Sequence, residues 1–282
     1  MGDFRPRPPQ LRPGRALAHT NGASGSGSPH RSDSRPPQTP RGARRSGPDG
    51  RPGTTPPVPG RPTSFLLFLL LGLPALLFAL ITWQVLAAGP LLRLDERLSG
   101  ALVHPDRPSE LLSDLGNVQV AVPVLVLALG WTAWRARAAG TARWWLPSAA
   151  GAALMALVPA VVVPLKDWTA RPGTPAVPPG TGYFPSGHTT TAAIAYGTAT
   201  VLLLPRLRSA RARRALVAGC LALVLGVSFG LVRRGYHWPL DVVASWCLCT
   251  VPLSALALIL SRHRPAAPPP PRASPAPAAP DR

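Results

Sequence analysis

Two short motifs in the second half of the chain contain side chains that could perform chemistry. In the later motif, GYHWPLD at 235–241, His237 and Asp241 are four residues apart. On a helix this spacing lets the carboxylate contact one ring nitrogen and fix the tautomer, which leaves the other nitrogen available as a nucleophile. An interfacial histidine–aspartate cap is the alternative interpretation of this segment taken alone.

The earlier motif, YFPSGHT at 183–189, joins a polar loop to an apolar segment. Ser186 or Gly187 would therefore stand at the N-terminus of a helix, where backbone N–H groups and the positive end of the helix dipole bind anions. Ser186 alone could be an ordinary N-cap. His188 is harder to explain structurally, because an ionisable residue that opens a membrane helix usually has a function.

Lys166 precedes both motifs and is the only lysine among 30 basic residues. Its compact ammonium can contact a phosphate oxygen as a point charge, a role that differs from that of arginine. Chance retention of a single lysine is the alternative. Arg171, Arg233 and Arg234 also lie near the ends of apolar segments, where snorkelling to the interface is an ordinary role for a cationic side chain.

The apolar segments around these motifs must position them, and six segments are long enough to cross a membrane. At 1.5 Å per residue, about 20 residues span a hydrocarbon core of ~30 Å. The segments are 64–88, 118–134, 146–165, 189–204, 215–232 and 240–260. We therefore predict an all-α fold, a polytopic membrane bundle of about six transmembrane helices.

The distribution of arginine predicts how this bundle is oriented. Arginine is concentrated before the first segment and after the second, fourth and sixth, and such connections face the cytoplasm. Both termini would then be cytoplasmic, and the motifs would lie in the outer loops. These loops are 89–117, 166–188 and 233–239. In the first loop, LLRLDERLSGALV has leucines at helical spacing and could lie along the interface.

Composition divides the chain into three parts. Residues 1–63 are rich in proline, glycine, serine and arginine, and they cannot bury enough apolar surface to offset the entropy of ordering. We predict a disordered cytoplasmic arm at 1–63, a membrane domain at 64–261 and a disordered Pro-rich tail at 262–282. The net charge of +19 does not indicate nucleic-acid binding, because no basic stripe is interleaved with aromatic residues. Anionic lipid is the simpler partner for the arm.

YFPSGHT and RGYHWPLD, preceded by a loop with Lys166 and an Arg-Pro pair, resemble the signature motifs of the type-2 phosphatidic acid phosphatase superfamily, which is related to vanadium haloperoxidases. The similarity covers roughly 165–245. It implies that His237 attacks phosphorus to form a phosphohistidine, that Asp241 orients His237, and that His188 protonates the leaving oxygen. The residues implied to hold the phosphoryl oxygens are Lys166, Ser186 and Gly187.

Two positions depart from the superfamily's pattern. An Arg-Pro pair usually begins seven residues after the lysine, where this chain has Gly173 and Thr174. An arginine usually stands six residues before the histidine of the last motif, where this chain has Leu231. The candidates for binding phosphate from shifted positions are Arg171, Arg233 and Arg234.

The resemblance implies a bacterial lipid phosphatase in the cell membrane, with its site facing outward and no metal or other cofactor. Phosphatidate, phosphatidylglycerophosphate and prenyl diphosphate all fit as substrates. A catalytically inactive relative that binds lipid phosphate or acts as a scaffold is the alternative, supported by the two departures. A transporter would need ionisable residues near the midplane of several helices, and the predicted segments have almost none. The oligomeric state stays open.

Overall fold

Long apolar helices make up most of the described chain, which is residues 64–262 of a computed structural model. We number its eight helices in chain order. They are α1 Ser64–Leu86, α2 Pro90–Leu102, α3 Arg107–Asp114, α4 Val118–Ala138, α5 Leu146–Thr169, α6 Gly187–Leu203, α7 Ala210–Arg233 and α8 Pro239–Arg262. The predicted arm at 1–63 and the tail after 262 lie outside the described residues.

All six predicted segments are helical, which confirms the predicted all-α membrane bundle. Between residues 64 and 262, five helices are long and apolar enough to cross a membrane, namely α1, α4, α5, α7 and α8. The sixth segment is α6, whose 17 residues are followed by a 3-10 turn. The helix α7 begins at Ala210, before its apolar run, because Ser209 caps it and arginine is a good helix former.

The α6 helix lies at the centre of the bundle. It packs against α4, α5, α7 and α8. Its sequence is rich in glycine, alanine and threonine, and such small residues let neighbouring helices approach closely. At Gly197 an added β-carbon would come within 2.6 Å of Leu253 on α8. This packing fixes the helix whose N-terminus carries the SGH motif.

The segment between α1 and α4 contains two short helices, α2 and α3. The exposed leucines of α2 are Leu91, Leu94, Leu98 and Leu102. The residues that α2 buries are polar, Asp95 and Ser99. They are four residues apart, so they share the face that packs against the rest of the protein. An apolar face and a polar face are what the predicted position along the membrane interface requires.

A capping box stabilises the N-terminus of α3. Asp106 accepts a hydrogen bond from the backbone N–H of Ser109 at 2.8 Å, and the Asp106 N–H donates to the Ser109 hydroxyl at 3.3 Å. Arg233, at the end of α7, donates from Nε to Asp106 Oδ2 at 2.8 Å. Ser109, through its side chain first and its backbone second, and then Arg233 lower the pKa of Asp106 to about 2.

We expect Asp106→Asn to lower the melting temperature at neutral pH and to have no such effect near pH 2. Because the pKa of Asp106 is lowered from an unfolded value of about 4, the ionised group stabilises the fold above that pH, and this contribution is lost as the pH falls toward 2. Asparagine keeps an N-cap acceptor and removes only the charge. Thermal unfolding in detergent would measure the difference, and a gap that stays constant with pH would contradict the prediction.

Candidate active site

Four helix ends bring the two motifs together at one end of the bundle. The C-terminal ends of α5 and α7 and the N-terminal ends of α6 and α8 flank the two loops that carry the motifs. After α5, Ala170 has a φ of 43°, a left-handed conformation that stops the helix. This turn separates Lys166, on the last turn of α5, from Arg171 in the following loop.

His237 and Asp241 form the predicted pair. The Nδ1 atom of His237 lies 3.1 Å from Oδ2 of Asp241, and the same oxygen accepts from the Trp238 backbone N–H at 3.1 Å. His237 is 6% exposed and Asp241 is fully buried. With the carboxylate as acceptor, Nδ1 carries the proton, so Nε2 has the lone pair that a nucleophile needs.

A buried ion-pair bridge holds the other oxygen of Asp241. Arg171 donates from Nη1 to Oδ1 of Asp241 and from Nη2 to Oδ2 of Asp95, each at 2.5 Å. Oδ1 of Asp95 accepts from the backbone N–H of Leu240 at 2.8 Å. Burial raises the pKa of Asp95, and the hydrogen bonds from Arg171 and Leu240 act in the opposite direction. The structure thus places Arg171 between two carboxylates.

Two contacts and one glycine fix the loop that carries His237. The guanidinium of Arg171 lies over the ring of Trp238, with its Cζ atom 5.5 Å from the ring centroid. The Nε1 atom of Trp238 donates to the carbonyl of Pro172 at 3.0 Å. Gly235 has a φ of 73°, and a β-carbon there would come within 2.6 Å of a neighbouring side chain. Both the backbone conformation and the available space therefore require glycine before His237.

The N-terminus of α6 lies beside Lys166. Ser186 is fully buried and caps the helix, since its hydroxyl oxygen accepts from the backbone N–H three residues later at 3.4 Å. The N–H groups of Gly187 and His188 have no helical carbonyl to bind, as in the first turn of any helix. The Cε atom of Lys166 lies 4.0 Å from the position that a β-carbon of Gly187 would take. The Lys166 ammonium donates to the carbonyl oxygen of Gly182 at 2.9 Å, which leaves two of its N–H donors to bind an anion together with the N-terminus of α6.

His188 is held by the corner that precedes α4. Its Nε2 atom lies 2.7 Å from Oδ1 of Asn117, whose Nδ2 donates to Asp114 at 3.0 Å. A β-carbon at Gly116 would lie 3.1 Å from the carbonyl oxygen of His188, so glycine is what permits this close approach. Because the Asn117 amide is oriented by Asp114, its oxygen faces the imidazole and keeps a proton on Nε2.

Lys166, Gly187 and His188 form one end of a cavity of about 810 Å³ between α4 and α5. Most of its remaining lining is apolar and includes Leu125, Val126, Leu129, Met155 and Val162. Leu129 lies roughly 17 Å along α4 from its first residue, at 1.5 Å per residue. His237 does not line this cavity, but its partner Asp241 is joined to the start of α6, since the carbonyl oxygen of Asp241 accepts from the backbone N–H of Ser186 at 3.2 Å.

Two predicted phosphate-binding residues have partners elsewhere in the structure. Arg233 pairs with Asp106, and Arg234 donates to the phenol oxygen of Tyr236 at 3.1 Å. Leu231, at one of the departing positions, is 1% exposed and belongs to the apolar core. The cluster that the structure brings together from the predicted set is His188, His237, Asp241, Lys166, Ser186, Gly187 and Arg171.

Asp95 and Asn117 are the two residues at the site that the sequence did not single out. Their partners are distant in the chain, since Asp95 contacts Arg171 across 76 residues and Asn117 contacts His188 across 71. No local spacing reports such contacts. The one signal for Asp95 in the sequence is its position within the leucine-rich stretch 91–103. If this stretch lies along the membrane interface, its carboxylate has to point away from lipid.

Comparison with known proteins gives one family match and one structural match. Residues 149–265 match the family model described as the PAP2 superfamily. The fold is similar to the crystal structure of a transmembrane PAP2-type phosphatidylglycerolphosphate phosphatase from Bacillus subtilis, with 20% sequence identity, a TM-score of 0.57, and coverage of 68% of this chain and 97% of that chain. No curated protein sequence matches significantly.

Proposed function

We propose, from the match of residues 149–265 to the PAP2 superfamily, that this chain is a membrane phosphatase that hydrolyses a phosphate ester of a lipid. The supporting observation is the cavity between α4 and α5, whose outer end holds Lys166, Gly187 and His188 and whose inner length is apolar. A phosphate at headgroup level with an acyl or prenyl chain below it has this polarity pattern. The candidate substrates are phosphatidate, phosphatidylglycerophosphate and prenyl diphosphate.

In the proposed mechanism, Nε2 of His237 attacks phosphorus while the bond from phosphorus to the leaving oxygen breaks. Doubly protonated His188 keeps its Nε2 proton on Asn117 and gives its Nδ1 proton to that oxygen, and Nδ1 then takes a proton from the water that hydrolyses the phosphohistidine. The imidazole of His237 gains positive charge as it attacks, and Asp241 stabilises that charge. Lys166 and the N–H groups of Gly187 and His188 neutralise the phosphoryl oxygens.

We further propose that the reaction needs no metal, because Lys166 and the α6 N-terminus supply the positive charge that a metal would otherwise provide. The arginine-rich connections on the opposite side support a site that faces away from the cytoplasm, with cytoplasmic termini. Arg233 and Arg234 are not included among the proposed phosphate contacts, since their side chains bind Asp106 and Tyr236.

The experiment that tests this function is phosphate release by the purified protein in detergent, with chelator present, from the three candidate lipids. Glycerol phosphate serves as a matched substrate without a tail. We expect chelator-resistant release from at least one lipid and about 100-fold less from glycerol phosphate, because about four buried methylene groups already contribute roughly 3 kcal/mol of binding. Equal rates with and without the tail would contradict a lipid substrate.

One observation favours a second function, a relative that binds lipid phosphate without hydrolysing it. Arg171 is fully engaged by Asp95 and Asp241, so the charge of this arginine is already balanced by two carboxylates. A site with fewer available cations stabilises the transition state less. The inactive alternative predicts saturable stabilisation of the protein by phosphatidate in a thermal shift assay, together with no phosphate release from any lipid.

Asn117→Ala is expected to lower kcat about tenfold, the value of one hydrogen bond to a group that carries charge during the reaction. The reason is that His188 loses the acceptor that fixes its ring and its tautomer. Steady-state phosphate release would measure the effect. Gln84→Ala is the matched control, since this amide at the outer end of α1 contacts Leu91 instead of a histidine. An equal loss in both variants would contradict the assignment.

A further inference from the structure

We propose that Asp95, on the interfacial helix α2, is a positioning residue for His237 that acts through Arg171 and Asp241. The inference rests on the proposed function for its catalytic meaning. Its structural basis is an unbroken series of contacts: Asp95 binds Arg171, Arg171 binds Asp241, and Asp241 binds Nδ1 of His237. All four side chains are at least nine-tenths buried.

Charge balance explains why Asp241 needs a second carboxylate behind it. Arg171 alone would neutralise Asp241 and draw its negative charge away from His237. Asp95 divides the charge of the guanidinium between two carboxylates, so two negative groups and one positive group leave a net charge of −1 beside the histidine. That negative charge stabilises the ring as it becomes positive on forming the bond to phosphorus.

Geometry gives Asp95 a second role in the same chain of contacts. Its Oδ1 accepts from the backbone N–H of Leu240, in the first turn of the helix that carries Asp241. Its Oδ2 holds one arm of the planar guanidinium of Arg171, whose other arm reaches Asp241. A fork held at both arms cannot rotate, so the distance and direction from Asp241 to His237 are fixed as well.

Asp95 is buried on α2 while the carboxylate next to it in the sequence is exposed. The next residue along the chain is also acidic, and Glu96 is exposed. The leucines of α2 are exposed on the lipid-compatible side. Of the two neighbouring carboxylates, Asp95 is the one turned into the protein, where an ionised group is costly unless it is paired.

The test compares Asp95→Asn with Glu96→Gln, which makes the same change of charge one residue away. We expect Asp95→Asn to lower kcat at least tenfold with KM changed less than about twofold, and Glu96→Gln to match wild type. The effect of Asp95→Asn should shrink to less than about twofold in an Asp241→Asn background, because both residues act on His237 through one path. An equal loss in the two backgrounds would overturn the proposal.

A second variant and a readout without turnover complete the test. Asp95→Glu keeps the charge, so it should retain more of kcat than Asp95→Asn. If Asp95→Asn unfolds, the same double-mutant cycle with Asp241→Asn is measured with Asp95→Glu. Carbethoxylation of His237 by diethyl pyrocarbonate, followed by peptide mass spectrometry, reports the reactivity of its Nε2 directly. It should be several-fold slower in Asp95→Asn and unchanged in Glu96→Gln. An unchanged carbethoxylation rate in both variants overturns the inference. If wild type hydrolyses no lipid but carbethoxylation of His237 is slower in Asp95→Asn, only the proposed function is overturned.

Discussion

Replacement of His237 by alanine is expected to abolish lipid hydrolysis, with kcat reduced by about 10⁴-fold or more, as for other enzymes that lose their nucleophile. The reason is that Nε2 of His237 is the nitrogen left available by the hydrogen bond from Nδ1 to Asp241. Without it no phosphohistidine forms, and the anion site alone can only bind the phosphate. Phosphate release from the preferred lipid in detergent would measure the loss.

His188→Ala should give a different defect at the same site. A general acid contributes about 10² to 10⁴ in rate, and its loss matters little when the leaving group needs no proton. We therefore expect His188→Ala to retain phosphoryl transfer from p-nitrophenyl phosphate and to accumulate an acid-labile phosphoenzyme, because water is no longer activated. The two histidines would then be assigned to separate steps.

His104→Ala is the control for both variants. This histidine lies between α2 and α3, its backbone N–H donates to the carbonyl of Arg233, and its ring belongs to none of the proposed catalytic contacts. It should leave kcat unchanged. Phosphoenzyme formation by His237→Ala, or equal losses with p-nitrophenyl phosphate and lipid in His188→Ala, would contradict the assignment of the two roles.

The second large effect is expected on stability. Arg171→Leu removes the cation between two buried carboxylates, and breaking a buried ion pair from one side costs about 3–5 kcal/mol. We expect loss of the folded protein, or a strongly lowered melting temperature. Arg233→Leu is the matched control, because its pair with Asp106 is partly exposed and should change stability little.

Removing all three charges together should separate folding from activity. The triple variant Arg171→Leu, Asp95→Asn, Asp241→Asn leaves no unpaired charge, so it should regain much of the stability that Arg171→Leu loses. Its kcat should fall to about that of Asp241→Asn alone, because His237 lacks its carboxylate. Thermal unfolding in detergent would measure the stability lost in Arg171→Leu and regained in the triple variant. A wild-type melting temperature for Arg171→Leu alone would show that the bridge contributes nothing to stability.

The fold followed from the sequence to a large extent because a membrane allows few solutions. An apolar run of about 20 residues must be helical in lipid, where every backbone group needs an internal partner. All six predicted segments are helices accordingly. Their ends were less predictable: α4 and α7 continue into arginine-containing turns, since hydropathy stops at the hydrocarbon boundary while helical hydrogen bonding does not.

The site was predictable where its residues are close in sequence and unpredictable where they are not. The contact of His237 with Asp241 spans four residues and was expected from helical spacing, although His237 lies two residues before α8, which begins at Pro239. The contact of Arg171 with Asp95 depends on how α2 packs, which no local pattern encodes. The same packing places Arg171, which was predicted to bind phosphate, between two carboxylates.

The bridge of Asp95, Arg171 and Asp241 also constrains how sequences of this kind can change over time. Losing Arg171 leaves two buried carboxylates without a cation, so a lineage that loses the arginine first passes through a poorly folded intermediate. The three residues, which lie on different parts of the chain, are therefore expected to be inherited or replaced together. In related sequences, an arginine five residues after the lysine should accordingly occur with a carboxylate at the position of Asp95.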